Sequence, residues 1–322
     1  MFLSIVIPCF NEERGLPRLR AALGSVLPGI APDCEVILVD DGSADRTLEE
    51  IRRWSAVDSR VRYFSLSRNF GKESAVLAGL RHARGDRIAI MDADLQHPPE
   101  LLTRMLPLLE SGYDQVVARR DRRGEPVLRS ALSRLYYRIL NRLAEVNVQD
   151  GAGDFRVLSR RAVDAVLSLR ECNRFSKGLF SWIGFDTAAV TFRNVARQTG
   201  NSKWSLGKLV NYGIDGLLSF NNKPLRWSIY LGLLVAMLSC AYVVYVVVAT
   251  LSSGVRVPGY ATLVAGVVGL GGLQLLFLGV LGEYLGRIYL EVKQRPHFFV
   301  KETGPELLPV QQQRLTSVSR VG

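Results

Sequence analysis

Cysteine is scarce in this chain, with four in 322 residues. Cys9, Cys34, Cys172 and Cys240 stand apart with no metal-like spacing. That excludes a disulfide frame and a structural zinc site, and it suits a reducing compartment. A leader is missing too: residues 1–8 are apolar but lack a basic n-region and are too short for a signal segment. They read as a buried first strand, which keeps the globular part in the cytoplasm. No basic stripe interleaved with aromatics and no nucleic-acid reading motif occurs, so nucleic acid is excluded as a partner. The net charge of +11 then points to anionic lipid headgroups and phosphate ligands. Charge itself is absent from two long stretches, about 227–251 and 261–281.

Each of those stretches exceeds the roughly 20 apolar residues that cross a bilayer. A turn-like connector joins them, Ser252-Ser253-Gly254-Val255-Arg256-Val257-Pro258-Gly259, so they predict a helical hairpin. Lys203, Lys208, Lys223 and Arg226 precede it and Arg287, Lys293 and Arg295 follow, against Arg256 alone in the connector. That asymmetry puts both flanks in the cytoplasm, with Trp227, Tyr230, Tyr260 and Tyr284 at interfacial depth.

Upstream, Val- and Ile-rich runs at 3–8, 35–40, 62–66 and 87–92 alternate with helical patterns at about 12–26, 45–54 and 72–83. The order predicts a doubly wound α/β sheet with right-handed crossovers, whose ligands sit beyond the carboxyl ends of the strands. Those ends are strongly polar: Asn11-Glu12-Glu13, Asp40-Asp41-Gly42-Ser43, Arg68 to Lys72, and Asp92-Ala93-Asp94. Asp45 and Ser43 can be helix caps, but capping does not explain adjacent carboxylates at two strand ends beside an Arg–Lys pair. A strand at 115–118 follows, then a basic run and an amphipathic pattern at about 127–143, which reads either as an interfacial helix or as a surface helix with its arginines in water. A second amphipathic stretch covers 203–220.

Two carboxylates spaced i and i+2 after a strand, Asp92 and Asp94, can reach one diphosphate. One can hold a divalent metal, Mg²⁺ or Mn²⁺, while the other addresses ribose or sugar hydroxyls. The metal would stabilise charge on a departing nucleoside diphosphate.

Together Ile5-Val6-Ile7-Pro8, Val39-Asp40-Asp41-Gly42-Ser43, Ser67-Arg68-Asn69-Phe70-Gly71-Lys72-Glu73 and Asp92-Ala93-Asp94-Leu95-Gln96 resemble family 2 glycosyltransferases of the GT-A fold. Gly153-Asp154-Phe155-Arg156, Gly200-Asn201-Ser202-Lys203-Trp204 and Gly282-Glu283-Tyr284-Leu285-Gly286-Arg287 narrow the resemblance to the polyisoprenyl-phosphate glycosyltransferases. These include dolichol-phosphate mannose synthases and bactoprenol glucosyl transferases, and the hairpin resembles the latter. The match runs from about residue 3 to residue 300.

The resemblance implies that Pro8, Asn11, Glu12, Asp41 and Lys72 line the nucleotide-sugar pocket with Asp92, that Asp94 binds metal, and that Asp154 is a catalytic carboxylate. Arg197, Ser202 and Lys203 would close over the donor. Many relatives carry a second acidic residue where this chain has His97; either the metal preference changes, or His97 caps a helix starting near Pro99. An acceptor phosphomonoester, with a second pKa of about 6, attacks without surrendering a proton. Holding two anions together calls for cations, which selects Arg120 and Arg129, with Ser133, as acceptor-phosphate ligands. In-line attack inverts the anomeric centre.

The expected architecture is an α/β, GT-A Rossmann-like, mixed and mostly parallel sheet with flanking helices, plus a C-terminal two-helix transmembrane hairpin. Its parts are a catalytic domain at 1–200, an interfacial segment at 201–226, membrane helices within 227–286 (about 227–251 and 261–283), and a cytoplasmic tail at 287–322, loosely ordered beyond Pro296. The expected reaction moves a hexose from a UDP-sugar to undecaprenyl phosphate or a related lipid at the inner membrane of a bacterium. A GDP-mannose-dependent synthase, or a weakly active membrane scaffold that binds nucleotide-sugar, are the alternatives. A processive synthase is disfavoured, since neither a Gln-x-x-Arg-Trp motif nor further spans occur. A homotetramer is expected from the resemblance alone.

Overall fold

The computed structural model describes residues 2–121, 152–171, 174, 176–193, 223–253 and 259–304. The chain divides into two compact units, 1–216 with 296–322, and 217–295.

In the first unit, β1 (Leu3–Cys9), α1 (Leu16–Ile30), β2 (Cys34–Asp40), α2 (Thr47–Val57), β3 (Val61–Leu66), α3 (Lys72–His82) and β4 (Arg87–Ile90) alternate as predicted. α4 (Leu102–Glu110), β5 (Gln115–Asp121), β6 (Ala152–Ser159), α5 (Arg160–Ser168), α6 (Ser176–Trp182), β7 (Thr187–Arg193) and β8 (Val300–Thr303) complete it. One eight-stranded sheet results, in the order β7-β5-β6-β4-β1-β2-β3-β8. β1 pairs in parallel with β2 and β4, β2 with β3, and β5 with β7. β6 runs antiparallel to β4 and β5, and β8 to β3. The sheet is mixed and mostly parallel.

Strand burial explains the unbroken apolar runs. β2 is buried at all seven positions, because both faces are covered. On one face Leu3, Ile5 and Ile7 pack with Leu19 and Leu23 of α1, Trp54 of α2 and Met105 of α4. On the other, Val6, Ile37 and Ile88 meet Ala75 and Ala78 of α3, Val163 of α5 and Phe180 of α6. α1 starts at Leu16 rather than near residue 12. The amides of Glu12 and Glu13 donate to Thr47 Oγ1 and Asp45 Oδ2 (2.8 and 3.3 Å) instead of opening a helix.

Beyond Pro296 the chain is ordered through residue 304, contrary to the loose tail expected. β3 would otherwise be an open edge, and β8 covers it. Glu302 forms two hydrogen bonds with Arg52 (2.8 and 2.5 Å) and accepts one from Tyr63 (2.9 Å), while Ser67 N donates to Phe299 O (2.9 Å).

The second unit contains helices α7 (Lys223–Ser253) and α8 (Tyr260–Lys293). Many of their large apolar side chains are exposed, Tyr245 at 68% and Leu275 at 71% among them. The helical pair is as predicted, each helix longer than expected. Its passage through a membrane is not shown: among the described residues no helix is long and apolar enough to cross one.

Candidate active site

The strand order 3-2-1-4 reverses direction between β1 and β4, and such a switch point opens a crevice at the carboxyl ends. Val6 pairs with Ile90, so Asp92 stands level with Pro8 at the mouth. The loops after β1, β2 and β3 are stitched to one another by hydrogen bonds between backbone amides and side-chain oxygens. Asn11, in the left-handed region at φ 53°, donates from its amide to Ser43 Oγ (3.0 Å) and accepts from Ala44 N (2.9 Å). Ser43 is thus a loop brace rather than a helix cap, whereas Asp45 accepts from Thr47 N (3.0 Å) at the start of α2.

Asp41 is buried and takes one backbone donor on each oxygen, Phe70 N (2.8 Å) and Gly71 N (2.9 Å). Burial raises its pKa, and those two bonds oppose the shift. Gly42 must be glycine. Its φ is +65°, and a Cβ there would lie 2.4 Å from the Arg68 carbonyl carbon.

Lys72, the first residue of α3, bridges two strands. Its Nζ lies 2.6 Å from Asp92 Oδ1 and 2.5 Å from Asp154 Oδ2, while Lys177 Nζ is 3.6 Å from Asp154 Oδ1. Burial would raise Asp154, but Lys72 and Lys177 hold its carboxyl well below the usual range. Asp92 is raised, burial outweighing Lys72. Burial would depress Lys72, yet Asp154 and Asp92 push it above the ordinary lysine value. The side chains of Lys72 and Asp154 are 41% and 37% exposed, so water reaches and screens the cluster.

Lys177 is a site residue that lies in none of the quoted motifs, and Arg156 is one that a motif contained without a role being assigned to it. Ser176 Oγ donates to Glu73 Oε2, which fastens the first turn of α6 to that of α3 and brings Lys177 in. Arg156 stacks on Phe180, 3.9 Å from its ring centroid. Only the Arg156 of the quoted Gly-Asp-Phe-Arg motif carried a signal; Lys177 lies in no motif.

Asp94 Oδ1 accepts from Gln96 N (3.1 Å), across Leu95 at φ 54°. A left-handed leucine is uncommon and here turns the loop tightly past the strand end. Among the described residues no group of three or more His, Cys, Asp or Glu side chains forms a metal cage. Magnesium-like cations are commonly held by one or two carboxylates plus substrate phosphates, so the sparse Asp94 set fits a metal that arrives with a diphosphate.

His97 caps no helix: the 3₁₀ turn Pro99–Leu101 is preceded by Pro98 and has no side-chain cap. Its ring is buried between Phe155 and Phe192, with centroids 5.8 and 5.1 Å away. Of the other expected residues, Pro8, Glu12, Asp92 and Asp94 gather at the same sheet edge. Arg120 lies on β5, its side chain outside the described residues, as are Arg129, Ser133, Arg197, Ser202 and Lys203.

Comparisons with known proteins agree with this layout. Residues 4–167 match the family model "Glycosyl transferase family 2", and residues 223–288 match "GtrB C-terminal hairpin". CsbB of Bacillus subtilis (strain 168), which carries a provisional glycosyltransferase description, is 50% identical over 93% of this chain and 91% of its own. The bactoprenol glucosyl transferase of Shigella phage SfII is 38% identical over 94% of this chain and 98% of its own. The prophage bactoprenol glucosyl transferase homolog of Escherichia coli (strain K12) is 36% identical, covering 94% and 99%.

Proposed function

This chain belongs to glycosyl transferase family 2, and from that membership we propose that it transfers a hexose from a UDP-sugar to a polyprenyl phosphate, with inversion. The donor is held at the switch point by Pro8, Asn11, Glu12, Asp41 and Asp92, with Arg197, Ser202 and Lys203 closing over it. Arg120, Arg129 and Ser133 receive the acceptor phosphate. A divalent metal on Asp94 supplies charge stabilisation for the departing diphosphate.

The observation that carries the reading is the placement of Asp154 between the ammonium groups of Lys72 (2.5 Å) and Lys177 (3.6 Å), which hold its carboxyl below the usual range. A hydroxyl acceptor calls for a general base with a pKa near the working pH, and a carboxylate held so low is a poor one. A phosphate monoester needs no base. Asp154 therefore orients Lys72 and Lys177, whose ammonium groups can bring two anionic substrates together. The attacking phosphate oxygen displaces the diphosphate from the opposite face.

The same proposal sets α7 and α8 in the inner membrane of a bacterium, with the catalytic unit on its cytoplasmic side. Its supports are the matched hairpin, the charge-free run at 227–251 and the exposed leucines.

The test is a labelled-donor screen with purified protein, undecaprenyl phosphate and Mg²⁺ or Mn²⁺, run beside Asp94→Ala. Label entering the lipid phase from one UDP-sugar, and lost in the variant, upholds the reading. Transfer from GDP-mannose replaces the donor, and nucleotide binding without transfer from any donor sinks the reading in favour of a scaffold.

A further inference from the structure

We propose that His97 is a positioning residue, whose buried ring seats Gly153 and thereby sets where Asp154 stands, and that it does not ligate the metal. Along β6, side chains alternate between faces of the sheet. Phe155 packs in the core beside α1 and α4. Asp154 and Arg156 serve the opposite face, where Lys72, Lys177 and Phe180 lie. His97 touches the Phe155 face, so the backbone of β6 lies between its ring and the Lys72–Asp154 pair.

The contact with Gly153 is close. A Cβ at Gly153 would meet His97 Nε2 at 2.6 Å, Ala118 O at 3.2 Å and His97 Cε1 at 3.4 Å. Only a residue without a side chain lets β6 settle onto the ring. Arg156 Nη2 holds the other side of the same peptide through Gly153 O (3.5 Å). The ring is 8% exposed and flanked by Phe155 and Phe192, so it is a packing wedge. His97 follows Asp94 by three residues in the loop after β4, and through Gly153 it fixes the spacing of the two halves of the site.

The catalytic side of this inference rests on the transferase reading, so the experiment has an arm that does not. Gly153→Ala, His97→Ala and the double variant are purified as full chains. Thermal denaturation without substrate, and transfer with a metal titration, are measured for each. A misplacement of about 1 Å can cost on the order of 100-fold in rate, so Gly153→Ala is expected to lower kcat by roughly that factor. Removing the ring in the double variant is expected to restore at least a tenfold share, and to raise Tm above that of Gly153→Ala. His97→Ala alone is expected to lower kcat with the half-activating Mn²⁺ concentration unchanged. A double variant no better than Gly153→Ala in either measurement would overturn the wedge. A tenfold or larger shift in half-activating Mn²⁺ with kcat intact at saturating metal would make His97 a ligand instead. If the wild type transfers nothing, the denaturation cycle still decides the contact, and the failure belongs to the transferase reading.

Discussion

The half of the sheet from β3 to β4 and the half from β6 to β7 build the same site by different means. In the first, loops are joined by backbone amides to nearby side chains: Asn11 to Ser43 and Ala44, Asp41 to Phe70 and Gly71. In the second, Asp154 and Arg156 of β6 meet Lys72 of α3 and Lys177 and Phe180 of α6 through charge and ring contacts. The first arrangement rests on backbone amides meeting side-chain oxygens, the Asp41 carboxyl among them. The second depends on ionised groups that water screens.

The largest effect is expected where the halves meet. Lys72→Ala leaves Asp92 and Asp154 facing each other without the ammonium. Loss of one positioned charge donor commonly costs about 10²–10³ in kcat, and transfer should fall by that order while circular dichroism reports a retained fold. A variant within a few-fold of wild type would show that the bridge does not serve catalysis.

Next is a break confined to the first half. Gly42→Ala places a methyl against the Arg68–Asn69 backbone at positive φ. Strain of that kind costs about 1–3 kcal/mol, read as a lower urea midpoint. An unchanged midpoint would mean that the loops can part without cost.

The third sharpens the contrast through pH. Asp154 is depressed in the folded state, so its stabilising contribution is present above the unfolded carboxylate value of about 3.9 and is lost as pH falls through the folded one. Asp92 is raised and acts in the opposite sense, its contribution being present at low pH and lost as pH rises through its folded value. The Tm difference between wild type and Asp154→Asn should therefore be largest near neutrality and shrink below the usual carboxylate range. A constant difference would assign Asp154 a role independent of charge.

The smallest effect is expected at the edge. Arg52 and Glu302 are 48% and 30% exposed, and such pairs contribute about 0–1 kcal/mol. Glu302→Ala should lower Tm slightly and leave transfer unchanged; lost transfer would tie β8 to the site.

Much of the first half was legible in the sequence. Buried parallel strands read as unbroken Val and Ile runs, and the residues following them can only lie at the carboxyl edge, so Asn11, Asp41, Asp92 and Asp94 were found from position alone. Asp154 was found only through its motif, since β6 is antiparallel and arrives from beyond an undescribed stretch. Lys177 carried no signal, because its place depends on Ser176 reaching Glu73. His97 caps no helix, and its neighbours Phe155 and Phe192 are 58 and 95 positions away, beyond the reach of a local pattern.

By itself, then, the sequence determined the alternating core, the polar edge, the apolar hairpin and the family to which they belong, all of which follow from local periodicity and short motifs. Tertiary structure alone decided that Lys72 joins Asp92 to Asp154, that Asp41 braces a loop, that the His97 ring is buried beside Phe155 and Phe192 and that residues 300–303 cover the β3 edge. Each of those is a long-range pairing between segments whose own local patterns are compatible with several partners, and only the packed sheet selects one.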